Sequence, residues 1–167
     1  MLWYPKAVLS IVAALAVGLT LVRPLRRWAL QVDVRALIAF HLVRFVGIYF
    51  LYLFAHDELP YAFAVRGGIG DIVVATLAIP LLYFAQSTRA VVLWNLLGLA
   101  DIVAVAVTAA RSELAMPGSM HQLDRLPLIL LPTFVVPVII VTHGLMLVRA
   151  INDRREMKKA ARAGTTG

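Results

Sequence analysis

The sequence predicts an all-α membrane protein, a bundle of five transmembrane helices with the N-terminus outside and the C-terminus inside. Of the 167 residues, 62% are hydrophobic and only 15% are charged, whereas a soluble domain usually has about 45–50% apolar and about 25% charged residues. A soluble fold of this size buries only about two-thirds of the surface that its unfolded chain exposes. So large an apolar fraction therefore points to a protein embedded in lipid.

Five apolar segments are long enough to cross a bilayer, which takes about 20 residues of helix. The predicted spans are 2–22, 36–55, 68–85, 90–110 and 126–148. Only short polar stretches separate them, so residues 1–148 are expected to form one transmembrane domain. Residues 149–167 are charged and then small and polar, which predicts a basic cytoplasmic tail.

The basic residues orient this bundle. In the five-span topology, eleven Lys and Arg residues lie on the side of the tail and four lie on the opposite side. Because cytoplasmic loops of membrane proteins carry the excess of Lys and Arg, the C-terminus is expected inside, as in a bacterial inner membrane. The net charge of +7 is then an orientation signal. The partners expected are a lipid bilayer and a homo-oligomer or larger membrane complex, without nucleic acid.

Polar residues inside the spans are few, and each calls for a partner or a function, because ionisable groups at membrane depth cost at least about 2.5–3.5 kcal/mol. The residues concerned are His41, Arg44, Asp71, Asn95, Asp101 and His143. If the protein carries out chemistry, these side chains are where it is expected.

The two histidines suggest a cofactor. His41 and His143 each lie about 8 Å from the cytoplasmic end of their predicted spans, by a rise of about 1.5 Å per residue. Two imidazoles at one depth on facing helices are what a b-type haem with two histidine ligands requires. Arg44 follows His41 by one turn on the same helix face, where a guanidinium would bind a haem propionate or a quinone carbonyl. The other interpretation is that both histidines only form hydrogen bonds between helices.

The buried charges suggest a second arrangement. By helical rise, Arg44 and Asp101 lie about 12 Å and about 16 Å into their spans, so we expect them to pair across the bundle. Asp71 lies near the predicted start of the third span, where an acid complements the helix N-terminus and faces Arg66. A buried carboxylate such as Asp101 is also a potential proton or cation carrier.

Three functions follow from these residues. The most specific is haem-binding or quinone-linked electron transfer, with haem b held by His41 and His143. The alternatives are a non-catalytic accessory or scaffold subunit, whose buried polar residues set the helix packing, and a small transporter that uses Asp101. The chain has no cysteine, which excludes thiolate chemistry and Fe–S ligation. It also has no motif of a soluble-type enzyme. The sequence therefore leaves open whether the chain is an enzyme, and a redox reaction is the activity that its residues suggest.

Overall fold

The computed structural model describes residues 3–84 and 88–163, and almost all of this part of the chain is helical. The α-helices within it are α1 Trp3–Leu21, α2 Arg23–Gln31, α3 Val34–Phe40, α4 Val46–Ala55, α5 Tyr61–Phe84, α6 Thr88–Ala115 and α7 Val136–Ala163. Because no strand is found in the described residues, the predicted all-α class is confirmed.

Two α-helices, α4 and α7, are preceded by helical turns of another type. The 3₁₀ segment His41–Phe45 joins α3 to α4, so that Val34–Ala55 forms one helical rod of 22 residues. The π-helical segment Leu131–Val135 leads into α7. It contains Pro132, which has no backbone N–H to donate to the preceding turn. Irregular turns of these kinds occur often at functional sites.

Several helices have the length and composition needed to cross a membrane. Among the described residues four helical segments qualify on their own, and up to five if the pair α1–α2 is counted as one span. The axes of α1 and α2 are bent by 99° at this junction. The region between the first two predicted spans is therefore largely a separate helix, where the sequence led us to expect a polar connection.

The described helices differ from the predicted spans most at four places. α5, which contains the predicted third span, begins at Tyr61 and not at residue 68. α6, which contains the predicted fourth span, runs on to Ala115. Residues 126–129 form turns, because Pro127 and Pro132 disfavour a regular helix there. At the other end, α7 continues past residue 148 to Ala163 without a break, since its charged extension is rich in good helix formers. The predicted limits at Leu2 and Ala85 lie outside the described residues.

α5 lies at the centre of the bundle, packed against α4 and α6, while α7 packs against α6 and α1. The α4–α5 contact depends on two glycines. A Cβ atom added to Gly47 would collide with the carbonyl oxygen of Gly68, and one added to Gly68 would lie 2.8 Å from the carbonyl oxygen of Gly47. Backbone therefore meets backbone at this crossing, the close approach that small residues permit between membrane helices.

Two apolar clusters fill the interior on either side of a polar region. One includes Phe50, Phe63 and Val105, and the other includes Ile38, Val74 and Trp94. The six polar residues predicted to lie inside the spans fall between these clusters or at the edge of the second. Five of them are buried and Asp101 is partly exposed. These six residues, His41, Arg44, Asp71, Asn95, Asp101 and His143, are called the polar layer below.

Candidate functional site

Arg44 organises one half of the polar layer. It lies in the 3₁₀ segment between α3 and α4, and only 1% of its surface is exposed. Its Nε donates to Asp71 Oδ1 at 2.7 Å, its Nη1 donates to the carbonyl oxygen of Gly98 at 2.9 Å, and its Nη2 donates to Asp101 Oδ2. Each guanidinium nitrogen therefore has an acceptor, and the planar fork of arginine suits two carboxylates at once.

Glycines make room for these contacts. A Cβ atom at Gly70 would collide with the Asp101 carboxylate, so α5 and α6 approach each other closely at this point. A Cβ atom at Gly98 would lie 2.6 Å from His143 Cε1. Neither substitution fits without movement of the polar layer, and both glycines therefore belong to the construction of the site.

The Arg44 cluster carries more negative than positive charge when its carboxylates are ionised. One guanidinium faces two carboxylates, which leaves one negative charge without a cation among the contacts of Arg44. The two acids also differ in access, since 19% of the Asp101 side chain is exposed and only 5% of the Asp71 side chain. Asp101 is therefore the more accessible of the two carboxylates.

His41 and His143 form the other half of the polar layer. Both are fully buried, and their ring centroids are 4.2 Å apart with the ring planes inclined at 45°. Trp94 lies edge-on to His41 at a centroid distance of 5.2 Å and donates from its indole nitrogen to the carbonyl oxygen of Val74. The two imidazoles are therefore in direct contact, with Trp94 packed against both.

Neighbouring side chains fix the tautomer of each ring. Asn95 donates to the backbone carbonyl of His143 at 3.0 Å, and its Oδ1 lies 2.6 Å from His143 Nδ1, so this ring nitrogen carries a proton and donates it. Thr142 donates to the carbonyl oxygen of Ile139 and thus accepts from His41 Nε2 at 3.2 Å. The remaining nitrogens, His41 Nδ1 and His143 Nε2, have no hydrogen-bond partner among the described residues.

This arrangement does not fit a haem between the histidines. The two axial ligands of a haem iron bind from opposite faces of a flat macrocycle, which must lie between their rings. Here the rings touch each other, and no macrocycle fits unless the 3₁₀ segment that carries His41 separates from α7, which carries His143. The free nitrogens have the chemistry of ligands, but the space for this cofactor is missing.

A cavity of about 70 Å³ adjoins the other side of the Arg44 cluster. Arg44 and Asp71 contribute the charged groups of its wall, and the rest of the lining is almost entirely apolar, with Val8, Phe63 and Ile139 among its residues. It extends toward Leu123, beside the connection between α6 and α7. By volume it has room for several water molecules, but only the end at Arg44 and Asp71 offers them polar partners.

The structure brings together more residues than sequence reasoning did. Arg44 and Asp101, which their depths suggested as a pair, are in contact, and Asp71 joins them. Asp71 was expected near a helix end beside Arg66, but it lies about 15 Å into α5 by helical rise, because this helix begins at Tyr61. Thr142 was not considered as a partner of His41, although it precedes His143 directly.

Comparison with known proteins identifies a family for this chain but no activity. No curated protein and no solved structure matches this chain. A family described as a domain of unknown function, DUF8737, matches residues 2–151. This range contains all six residues of the polar layer and every helix up to the extension of α7. The chain therefore belongs to the DUF8737 family.

Proposed function

We propose that the chain is an integral membrane protein of five spans that carries protons through its bundle at Asp101. Within residues 3–84 and 88–163, four helical segments qualify as spans by length and composition. The fifth is α1, whose 19 residues rise about 28 Å, close to the hydrocarbon thickness of about 30 Å. The excess of Lys and Arg on the side of α2 and the C-terminal extension supports an outside N-terminus and an inside C-terminus, as in a bacterial inner membrane.

The observation that carries the proton proposal is the charge balance around Arg44. Two carboxylates share one guanidinium in the interior of the bundle, and an unbalanced ionised carboxylate is strongly disfavoured where the dielectric constant is low. One bound proton makes the centre neutral. Asp101 is the more exposed acid, so it is the group that takes up and releases this proton, while Asp71 stays paired with Arg44.

The surroundings supply parts of a route. The cavity beside Arg44 and Asp71 leads toward the end of the bundle at Leu123, which is the outer side in the proposed topology. On the other side of Arg44, the carbonyl of Gly98 and the ring of His143 continue the polar layer toward the inner side. Apart from Arg44 and Asp71 the cavity wall is almost entirely apolar, so water finds polar partners only at this end of the cavity.

Asp101→Asn is the test. The assay uses proteoliposomes with a trapped pH dye and an imposed membrane potential. We expect the wild-type chain to admit protons, and we expect the proton flux through the variant to be at least about tenfold lower, because an amide does not titrate. Asn still accepts a hydrogen bond from Arg44, and the variant removes the unbalanced charge. We therefore expect it to melt no lower than the wild type in detergent, which separates loss of transport from loss of fold.

The matched control is Asp153→Asn, which removes an exposed carboxylate from the extension of α7 and is expected to leave the flux unchanged. A wild-type flux equal to that of empty liposomes contradicts the proposal. That result favours the non-catalytic alternative, in which the polar layer only holds the helices in register within a larger membrane complex or homo-oligomer.

The contact between the rings disfavours electron transfer through a haem at His41 and His143, although each ring has one nitrogen without a hydrogen-bond partner among the described residues. Because the rings are in contact, we expect purified protein supplemented with haem to show no Soret band in its absorption spectrum. A band that disappears in both His41→Ala and His143→Ala, but persists in the exposed control His56→Ala, would reverse this expectation and establish the histidines as haem ligands.

A further inference from the structure

α2 is a short helix of nine residues, Arg23–Gln31, that leaves the end of α1 at 99°. With 3.6 residues per turn, Arg23, Arg26 and Arg27 fall on one face of it. Leu25, Trp28 and Ala29 fall on the opposite face, and Leu30, which falls between Arg23 and Arg26, is partly buried. Such a separation of basic and apolar residues is typical of helices that lie in a membrane interface.

The exposure of its side chains agrees with this placement. Ala29 is buried against the bundle, while Trp28 is 65% exposed and Leu25 is 37% exposed. The three arginines are exposed as well, and within the described residues none of them takes part in an ion pair. α2 has no acidic residue, so its outer face presents unbalanced positive charge beside an apolar aromatic surface.

α2 is held in position by α7. Arg149 donates from Nη2 to the carbonyl oxygen of Ala29 at 3.1 Å and from Nη1 to the carbonyl oxygen of Val32. These carbonyls lie at the C-terminal end of α2, where backbone acceptors lack partners within the helix and a cation is favourable. The bend between α1 and α2 is therefore stabilised by a tertiary contact.

We propose that α2 lies along the inner membrane surface and binds anionic lipid headgroups through Arg23, Arg26 and Arg27, with Trp28 inserted at the boundary of the acyl chains. The inference rests on the proposed membrane orientation. If α1 crosses the bilayer, a helix at 99° to it runs along the surface. The inner leaflet of a membrane carries the anionic lipids that attract clusters of Lys and Arg, and tryptophan favours the interfacial region.

The test uses the full chain in neutral detergent micelles, with Trp28 as the only tryptophan after Trp3→Phe and Trp94→Phe. Phosphatidylglycerol is titrated in, and Trp28 fluorescence reports the half-saturation point. We expect this point to move to higher lipid by about fivefold for each arginine replaced in the series to R23Q/R26Q/R27Q. The matched control R154Q/R155Q/K158Q, on the exposed extension of α7, is expected to leave the point unchanged.

Two further arms identify the ligand. Phosphatidylcholine and inorganic phosphate are expected to give no saturable change, so a response to phosphate alone would overturn the assignment to lipid. In vesicles, lipids brominated near the headgroup are expected to quench Trp28 more than an aqueous quencher does. Equal phosphatidylglycerol titrations for the arginine variant and the wild type, or strong aqueous quenching, would overturn the proposal.

These outcomes are separate from those of the proton proposal. Resistance to carbonate extraction reports whether the chain is integrated into the membrane, and the flux through Asp101 reports transport. An integrated chain without flux still permits lipid binding at α2, and an active carrier without lipid preference contradicts only the inference on α2.

Discussion

Arg44→Ala is expected to lower the free energy of unfolding by about 3–5 kcal/mol, the range for removing one partner of a buried ion pair. In this variant the carboxylates of Asp71 and Asp101 would face each other without the guanidinium, and the carbonyl of Gly98 would lose its donor. The measurement is the melting temperature and the monodisperse fraction in mild detergent. Arg44→Lys is expected to be intermediate, because an ammonium cannot reproduce the planar fork.

The control replaces the whole cluster. In R44M/D71N/D101N no charge remains in the Arg44 cluster, and removing a buried ion pair as a whole is far less costly than removing one partner of it. We expect this triple variant to recover most of what Arg44→Ala loses. If it is as unstable as Arg44→Ala, the hydrogen bonds of the guanidinium and not the balance of charge are the main contribution of Arg44, and the charge argument for Asp101 loses its basis.

Gly47→Ala is expected to destabilise the bundle by about 3 kcal/mol, at the upper end of the range for overpacking. The added Cβ atom meets the backbone carbonyl of Gly68, and a backbone atom in the middle of a helix cannot turn aside as a flexible side chain can. The α4–α5 crossing must open instead, which also displaces Arg44 from Asp71. Thermal unfolding in detergent measures the loss.

Gly144→Ala provides the comparison for this substitution, since a Cβ atom at that position meets nothing within 4 Å. It is expected to melt at or above the wild-type temperature, because alanine is the better helix former. Similar losses in the two variants would show that glycine flexibility, and not the close backbone contact, governs stability at Gly47.

Much of the fold follows from residue patterns. Long apolar runs predicted the helices, because a segment that enters lipid must satisfy its backbone polar groups by hydrogen bonds of its own, as a helix does. Boundaries were less accurate, since composition does not show where a helix ends when its next turns are amphipathic, as at Tyr61 and beyond residue 148. α2 was missed because four arginines in thirteen residues resemble a connection more than a helix.

The candidate site was predictable in its members but not in its geometry. Rarity alone identified the polar layer, because charged and polar residues at membrane depth are expensive. Helical rise also placed Arg44 and Asp101 at similar depths. The position of Asp71 depended on the helix boundary, and an error there moved its predicted position from the interior of a helix to the helix end.

The sequence by itself determined that this chain is helical, that its long apolar segments contain only a few polar side chains, and which residues those are. These properties depend on composition and on distance along a helix. Only the tertiary structure decided that one arginine serves two carboxylates, that the two histidines touch, and that α2 turns away from α1. Each of these depends on rotation about a helix axis and on how closely two backbones approach, and both are set by contacts between residues distant in the chain.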